Sequence, residues 1–148
     1  MSMSTTIVYG YGVDKETLRK VSIKALVEFM KKHVPDWHET MMNYLPANPT
    51  EADYEGWFDE YECNNTGIRG KYSFLSIIMS GETGIRFEYH CSSENNEEAI
   101  IMPRMMPWEC NNVERVCTED IIDYIFVNYF AELGVEVTPT EISVEYYG

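Results

Sequence analysis

Carboxylate side chains recur at helical spacing in one segment of the sequence and could act together there. This acidic stripe follows Glu51, Glu55, Asp59 and Glu62 at intervals of four, four and three residues, and it is thickened by Asp53 and Glu60. Intervals of three and four residues return to one face of an α-helix about every 5.4 Å along its axis. Because that interval is similar to the spacing of backbone phosphates, the stripe could enter a basic groove made for nucleic acid. The alternative is a solvated face that maintains solubility.

The distribution of charge favours a basic binding partner. No lysine or arginine occurs from His33 to Ile68, whereas ordinary protein surfaces mix charges of both signs. Residues 1–32 hold six basic and three acidic residues, a net charge of +3, and the rest of the chain holds five and 22, a net of −17. The total of −14 repels nucleic-acid phosphates and acidic membranes and attracts basic proteins. We therefore expect a basic protein surface as partner, with no direct binding to nucleic acid or membrane.

Catalytic and metal-binding patterns are missing from the sequence. His33 and His38 lie five residues apart, but no closely spaced cysteine pair accompanies them as a zinc site requires. His90 and Cys91 are neighbours and would point to opposite faces of a strand, so they cannot form a catalytic dyad. Glycine-rich nucleotide loops and nucleophile elbows are also missing. The sequence predicts no catalytic residue, metal or cofactor, although a dispersed active site without a local motif stays open.

A segment rich in methionine and proline offers a second possible contact. Residues 102–108 read Met-Pro-Arg-Met-Met-Pro-Trp, which is too rich in proline for regular structure. Flexible thioethers suit adaptable binding surfaces, and Arg104 and Trp108 are the residue types that anchor protein interfaces. The alternative is a loop folded onto the core, because apolar residues more often become buried.

Length and composition predict one folded domain over residues 1–148. The 148 residues are 45% apolar and 14% aromatic, enough to form a hydrophobic core without disulfides. No apolar run reaches about 18 residues, and the first residues carry no basic and apolar signal pattern. We therefore expect a cytoplasmic protein with reduced cysteines.

In the first half of the chain, the pattern predicts one strand and three helices. Residues 5–8 form a β-branched run that Gly10 and Gly12 would end with a sharp exit. A long helix then begins near Asp14 and runs with two apolar stripes to Pro35. Residues 36 and 39 resemble a capping box that opens a short second helix, and Thr50 is the predicted N-cap of the helix that carries the acidic stripe.

The sequence pattern in the second half of the chain predicts most of the strands of the sheet. Residues 72–79 are apolar on both alternations and suit a central strand, which residues 80–84 join to a partner strand over residues 85–91. A further strand covers residues 98–102, and closing strands cover residues 135–137 and 142–146. Thr118 and Gly134 bound the last helix, on which Tyr124, Val127 and Ala131 form a stripe that could be buried or make a homodimer contact. The fold class is therefore α+β, a mostly antiparallel sheet of about five strands with three to four helices.

The N-terminal residues add a family resemblance. Residues 5–13, Thr-Thr-Ile-Val-Tyr-Gly-Tyr-Gly-Val, followed by a lysine-bearing helix, resemble the start of small proteins encoded by phages and mobile elements. With the acidity, the chain is similar to anti-CRISPR and anti-restriction proteins, some of which mimic nucleic acid. The resemblance implies an inhibitor of a host defence enzyme that acts in the host cytoplasm, and it assigns no residue a role.

Two other classes of function stay open at this point. Small acidic α+β immunity proteins neutralise basic toxins by the same electrostatic attraction, so they differ in partner rather than in physics. An enzyme of unrecognised type would instead show a closed pocket that contains His33, His38 or His90 beside carboxylates with perturbed pKa values.

Overall fold

In a computed structural model of the protein, residues 5–63, 67, 69–93 and 95–147 are described. The strands are β1 (Thr5–Asp14), β2 (Glu88–Ser92), β3 (Glu97–Pro103) and β4 (Thr140–Tyr147). The helices are α1 (Lys15–Arg19), α2 (Ile23–His33), α3 (Pro35–Tyr44), α4 (Glu51–Glu60), α5 (Lys71–Thr83), α6 (Asn112–Arg115) and α7 (Glu119–Glu132). No helix within these ranges is long and apolar enough to cross a membrane.

The four strands form one antiparallel sheet in the order β2-β3-β1-β4. β1 pairs with β4 from Thr5 to Gly12 and with β3 from Gly10 to Asp14, so the two ladders overlap only in its middle. The α+β class and the antiparallel sheet are confirmed. The expected numbers of about five strands and three to four helices were wrong, because the described residues form four strands and seven helices.

Gly10 and Gly12 do not end β1, as the sequence had suggested, but lie within it. A Cβ atom on Gly12 would lie 2.0 Å from the carbonyl oxygen of Ile100, and one on Gly10 would lie 2.6 Å from that of Met102. Glycine is needed there because β3 approaches β1 too closely for any side chain. The two edge strands also come together, since the Tyr146 hydroxyl of β4 accepts a hydrogen bond of 3.1 Å from the backbone N–H of Cys91 in β2.

Residues 72–79 form most of helix α5, so the predicted central strand was wrong. An apolar run suits a buried helix as well as a buried strand, and its length over Lys71–Thr83 decides for the helix. The hydroxyl groups of Ser76 and Ser80 donate to the carbonyl oxygens of Ser73 and Ser76, both at 2.8 Å, so their polar atoms are satisfied inside the helix. The inner strands of the sheet are β1 and β3 instead.

Three other helix and strand boundaries differ from the sequence prediction. The long first helix is two helices, because the Ser22 hydroxyl caps α2 by accepting from the Ala25 N–H at 3.1 Å. α3 begins at Pro35 without a side-chain cap, so the capping box predicted at residues 36 and 39 was wrong. Residues 135–137 form no strand. They follow a turn in which the Val135 N–H donates to the Phe130 carbonyl at 2.8 Å.

The caps predicted for α4 and α7 are confirmed. Thr50 and Asp53 form a reciprocal capping box at the start of α4, and the Thr118 hydroxyl accepts from the Ile121 N–H at the start of α7. Gly134 has φ of 78°, the left-handed conformation expected of a residue that ends a helix. On α7, Tyr124 and Val127 are exposed, so no element of the described chain buries the stripe they form.

Candidate functional site

Helix α4 is held in place by its inner aromatic side chains. Trp57 and Phe58 are buried, and both contact Phe74 of α5, with ring centroids 5.5 Å apart in each pair. Contacts of this kind add to the free energy gained from burying the ring area itself. Because the inner face is fixed in this way, the carboxylates on the remaining faces of α4 are presented at defined positions.

The structure divides the acidic stripe into residues with internal partners and residues without them. Asp53 accepts a hydrogen bond of 2.9 Å from the Thr50 N–H and so serves the helix cap. Glu55 forms an ion pair of 2.7 Å with Lys71 at the start of α5. Glu62 lies beyond the end of α4 and contacts Arg69 at 3.6 Å. The stripe is therefore not one continuous face of free carboxylates.

Glu51, Asp59 and Glu60 are the open carboxylates of this helix. All three are exposed, and within residues 5–63, 67, 69–93 and 95–147 none of them forms an ion pair. At a rise of about 1.5 Å per residue, Glu51 and Asp59 lie about 12 Å apart along the axis. Because none of the three is used in an ion pair, all are available to a partner, although Glu51, in the first turn of α4, also interacts favourably with the helix dipole.

A shallow groove lies beside the open carboxylates at the C-terminal end of α4. It has a volume of about 220 Å³ and is lined by Tyr44, Trp57, Glu60 and Tyr61. Tyr61 stacks on Trp57 with a centroid distance of 4.5 Å and an interplanar angle of 14°. Tyr44, which is 67% exposed, directs its hydroxyl to Glu60 at 3.4 Å. No local sequence pattern predicted this groove, because it forms only where α3 and α4 meet.

Arg104 and Trp108 lie on a separate surface. Trp108 is 77% exposed, so the end of its segment is not folded onto the core. The guanidinium carbon of Arg104 lies 5.2 Å from the centre of the Tyr9 ring, a cation–π contact that ties the segment to β1. Among the described residues, no hydrogen bond, ion pair or ring contact joins Arg104 or Trp108 to the acidic stripe.

His33 is the centre of a charged cluster between α2, α5 and α7. Its Nδ1 lies 2.8 Å from a carboxylate oxygen of Glu82, and its Nε2 lies 2.8 Å from one of Glu132. Carboxylates only accept hydrogen bonds, so a ring nitrogen of His33 donates in these contacts wherever it carries a hydrogen. The Tyr129 hydroxyl donates to Glu82 at 2.6 Å, and Lys32 also pairs with Glu132. The sequence offered no signal for this cluster, because its members lie on three helices.

The pKa values in the cluster fit a structural role. Burial raises the pKa of Glu132, but hydrogen bonds from Lys32 and His33 outweigh it, so the pKa lies below the ordinary value. Burial and the hydrogen bond to Glu82 raise the pKa of Tyr129. A charged Glu132 and a neutral Tyr129 phenol are the states in which these contacts stabilise the packing of the three helices.

His90 belongs to a second group of hydrogen-bonded side chains, formed with Glu88 and Tyr146. A carboxylate, an imidazole and a hydroxyl in that order also occur in catalytic triads. Its Nε2 lies 2.9 Å from a carboxylate oxygen of Glu88, and its Nδ1 lies 3.0 Å from the Tyr146 hydroxyl. Burial is the largest cause that raises the pKa of Tyr146, whereas an activated nucleophile needs a lowered pKa. The contacts of His90 with Glu88 and Tyr146 therefore connect the two edge strands, β2 and β4.

One groove borders the His33 cluster and is lined by Ala25, Glu28, Phe29, Lys32 and Glu132. The grooves found on the described surface are lined by none of the three histidines that an enzyme of unrecognised type was expected to use. Among the described residues, no group of three or more His, Cys, Asp and Glu side chains is arranged to hold a metal ion. No protein-family model matches the chain, and comparisons with curated proteins and with solved structures gave no match.

Proposed function

We propose that the protein is an acidic inhibitor that binds a basic, nucleic-acid-binding surface of a larger enzyme, in the manner of anti-CRISPR or anti-restriction proteins. The observation that carries the proposal is the set of open carboxylates Glu51, Asp59 and Glu60. They lie in a segment without any lysine or arginine from His33 to Ile68. A surface of one sign that the protein does not neutralise itself fits a partner of the opposite sign.

The net charge of −14 supports the same proposal at longer range. A strongly acidic protein is steered toward a basic groove, and its rate of association falls as salt screens the attraction. Once the inhibitor occupies such a groove, the nucleic acid that normally binds there is excluded. The proposed activity is thus competition for a binding surface and requires no catalytic group.

The internal ion pairs refine which residues would make the contact. Glu55 and Glu62 are partly neutralised by Lys71 and Arg69, and Asp53 caps its own helix. Carboxylates with internal partners lose those contacts when they turn to a partner protein, so they add less binding free energy. The contact is therefore assigned mainly to the open carboxylates of α4, with Arg104 and Trp108 as a separate candidate surface.

A charge-reversal experiment tests the proposal. A tagged protein is used to retain partners from host lysate at low and high salt, and the retained proteins are identified by mass spectrometry. The triple variant E51K/D59K/E60K should fold normally but lose the retained basic protein. The matched control is E28K/E136K/E141K, which changes the net charge equally at exposed positions on other parts of the chain.

Each outcome of the experiment has a clear meaning. A basic nucleic-acid-binding enzyme that is lost at high salt and lost in the α4 variant, but kept by the control variant, supports the proposal. Equal binding by both variants would show that the open carboxylates are ordinary solvated surface. Retention of a toxin instead of a host enzyme would assign the same surface to an immunity protein.

A further inference from the structure

We infer that the groove lined by Tyr44, Trp57, Glu60 and Tyr61 binds the side chain of one arginine of the partner protein. This inference names the chemistry by which the proposed acidic surface recognises its partner, and it therefore rests on the proposed function. Three features of the groove carry the inference: its aromatic lining, its unpaired carboxylate and its size.

The aromatic lining suits a cation. Trp57 is only 2% exposed and stacks on Tyr61, so the accessible aromatic surface of the groove comes from Tyr44, which is 67% exposed, and from half-buried Tyr61. The faces of aromatic rings carry negative electrostatic potential and attract a guanidinium or ammonium group. A planar guanidinium also stacks on such faces with its N–H groups still free at its edge, which favours arginine over lysine.

The carboxylate of Glu60 is available to that cation. Its contact with the Tyr44 hydroxyl is long, at 3.4 Å, and within the described ranges it forms no ion pair. The nearest basic residues in the sequence, Arg69 and Lys71, pair with Glu62 and Glu55 instead. Glu60 can therefore accept hydrogen bonds from an arriving guanidinium without breaking an internal ion pair.

The groove has the size of a side-chain pocket. Its volume of about 220 Å³ is below the roughly 300 Å³ at which pockets for drug-sized ligands begin. One arginine side chain inserted between aromatic residues is a common anchor of protein interfaces. Because Asp59 and Glu60 are adjacent and unpaired, the local charge also favours a basic residue.

The experiment uses small probes, so that it does not depend on finding the partner. The ¹⁵N-labelled full-length protein is titrated with N-acetyl-arginine amide and followed by NMR at the Trp57 indole N–H. N-acetyl-citrulline amide is the matched uncharged probe, and N-acetyl-lysine amide tests the choice of guanidinium. We expect resonances of Trp57 and Tyr61 to shift with the arginine probe, more weakly with the lysine probe, and not with the citrulline probe.

Variants locate the binding to the groove. Tyr44→Leu and Glu60→Gln should each weaken binding of the arginine probe by about three- to tenfold, the range expected of one cation–π or charged contact. Tyr124→Leu and Glu119→Gln are the controls, since they remove an exposed tyrosine and a carboxylate on α7. They should leave the affinity unchanged.

Three outcomes would overturn the inference: no shift with the arginine probe, equal shifts with the citrulline probe, or equal losses in the α7 controls. Tighter binding of the lysine probe would overturn the assignment to a guanidinium. If the groove fails in this way while the charge-reversal variant still loses the partner, the proposed function stands without it. If the groove binds the arginine probe but charge reversal leaves the partner bound, the proposed function fails and the pocket remains.

Discussion

Two groups of carboxylates in this acidic protein lie in contrasting surroundings. Glu82 and Glu132 face His33 from two different helices, and Lys32 completes the neutralisation of Glu132. Glu51 and Asp59 extend from α4 and form no ion pair among the described residues. The side chains are chemically alike, but the first group uses its charge inside the molecule and the second group does not.

The difference shows how one net charge can serve two purposes. Partly buried ion pairs with several hydrogen bonds contribute to stability, whereas exposed unpaired carboxylates contribute almost nothing or repel each other. Mutations around His33 should therefore act on folding, and mutations on the open surface should act on binding. Four predictions examine that contrast, beginning with the largest expected effect.

Removal of the His33 imidazole should cause the largest loss of stability among these variants. His33→Ala leaves two carboxylates without their shared donor and removes the ring that stacks on Phe29 at 4.1 Å. We expect the free energy of unfolding to fall by about 2–3 kcal/mol. Urea denaturation followed by circular dichroism measures the change. His38→Ala is the control and should cost clearly less, and equal losses in both variants would contradict the structural role of His33.

Acid should weaken the same cluster. Because the folded protein holds the pKa of Glu132 below its ordinary value of 4.5, that residue stabilises the fold above the unfolded pKa and loses the contribution as pH falls through the folded pKa. Stability should therefore decrease as the pH drops below about 4.5, and the decrease should be shallower in Glu132→Gln. Urea denaturation from about pH 7 to about pH 3 checks this, with each protein compared with its own value at neutral pH. Parallel profiles for the two proteins would contradict it.

The ion pair between Lys71 and Glu55 should contribute less to stability than the His33 cluster and more than the open carboxylates. Lys71→Met keeps most of the side-chain stem but removes the charge, and the exposed fractions of 26% and 42% place this pair near the surface. We expect a loss of about 0.5–1 kcal/mol in unfolding free energy. The variant should also bind the basic partner more tightly, since Glu55 joins the open carboxylates. Lys24→Met, at an exposed position of α2, controls for the loss of one positive charge.

The smallest change in stability should come from a substitution among the open carboxylates of α4. Asp59 lies near the C-terminal end of α4 and four residues after Glu55, where a negative charge meets both the helix dipole and a like charge. Asp59→Lys should therefore leave stability unchanged or raise it by about 0.3–0.5 kcal/mol. Thermal unfolding measures the shift. A loss of more than about 1 kcal/mol would show that Asp59 supports the fold and is not free for a partner.

Local sequence signals predicted several elements correctly. Thr50 caps α4, and Thr118 and Gly134 bound α7, because each of these contacts is made within a few residues of the chain. The strand over residues 98–102 was also predicted to within about a residue or two at each end. Signals that act over such short distances are present in the sequence before any tertiary contact forms.

Signals that depend on distant residues failed. Residues 72–79 are apolar throughout, which suits a buried helix as well as a buried strand, so the run itself does not show that it belongs to the longer helix α5. The glycines of β1 were assigned to a turn, because their actual partner is the backbone of β3, about 90 residues away. A sequence pattern alone cannot distinguish a glycine that turns the chain from one that admits a neighbouring strand.

The sequence by itself determined that the protein is strongly acidic, that α4 carries carboxylates at helical spacing, and that this segment contains no basic residue. Only the tertiary structure decided which of those carboxylates stay open. Lys71 and Arg69 follow the segment in sequence and fold back to Glu55 and Glu62, while Glu51, Asp59 and Glu60 remain without ion pairs in the described part of the chain. Charge is a property of composition, but its neutralisation depends on distances of a few ångströms between residues that only folding brings together.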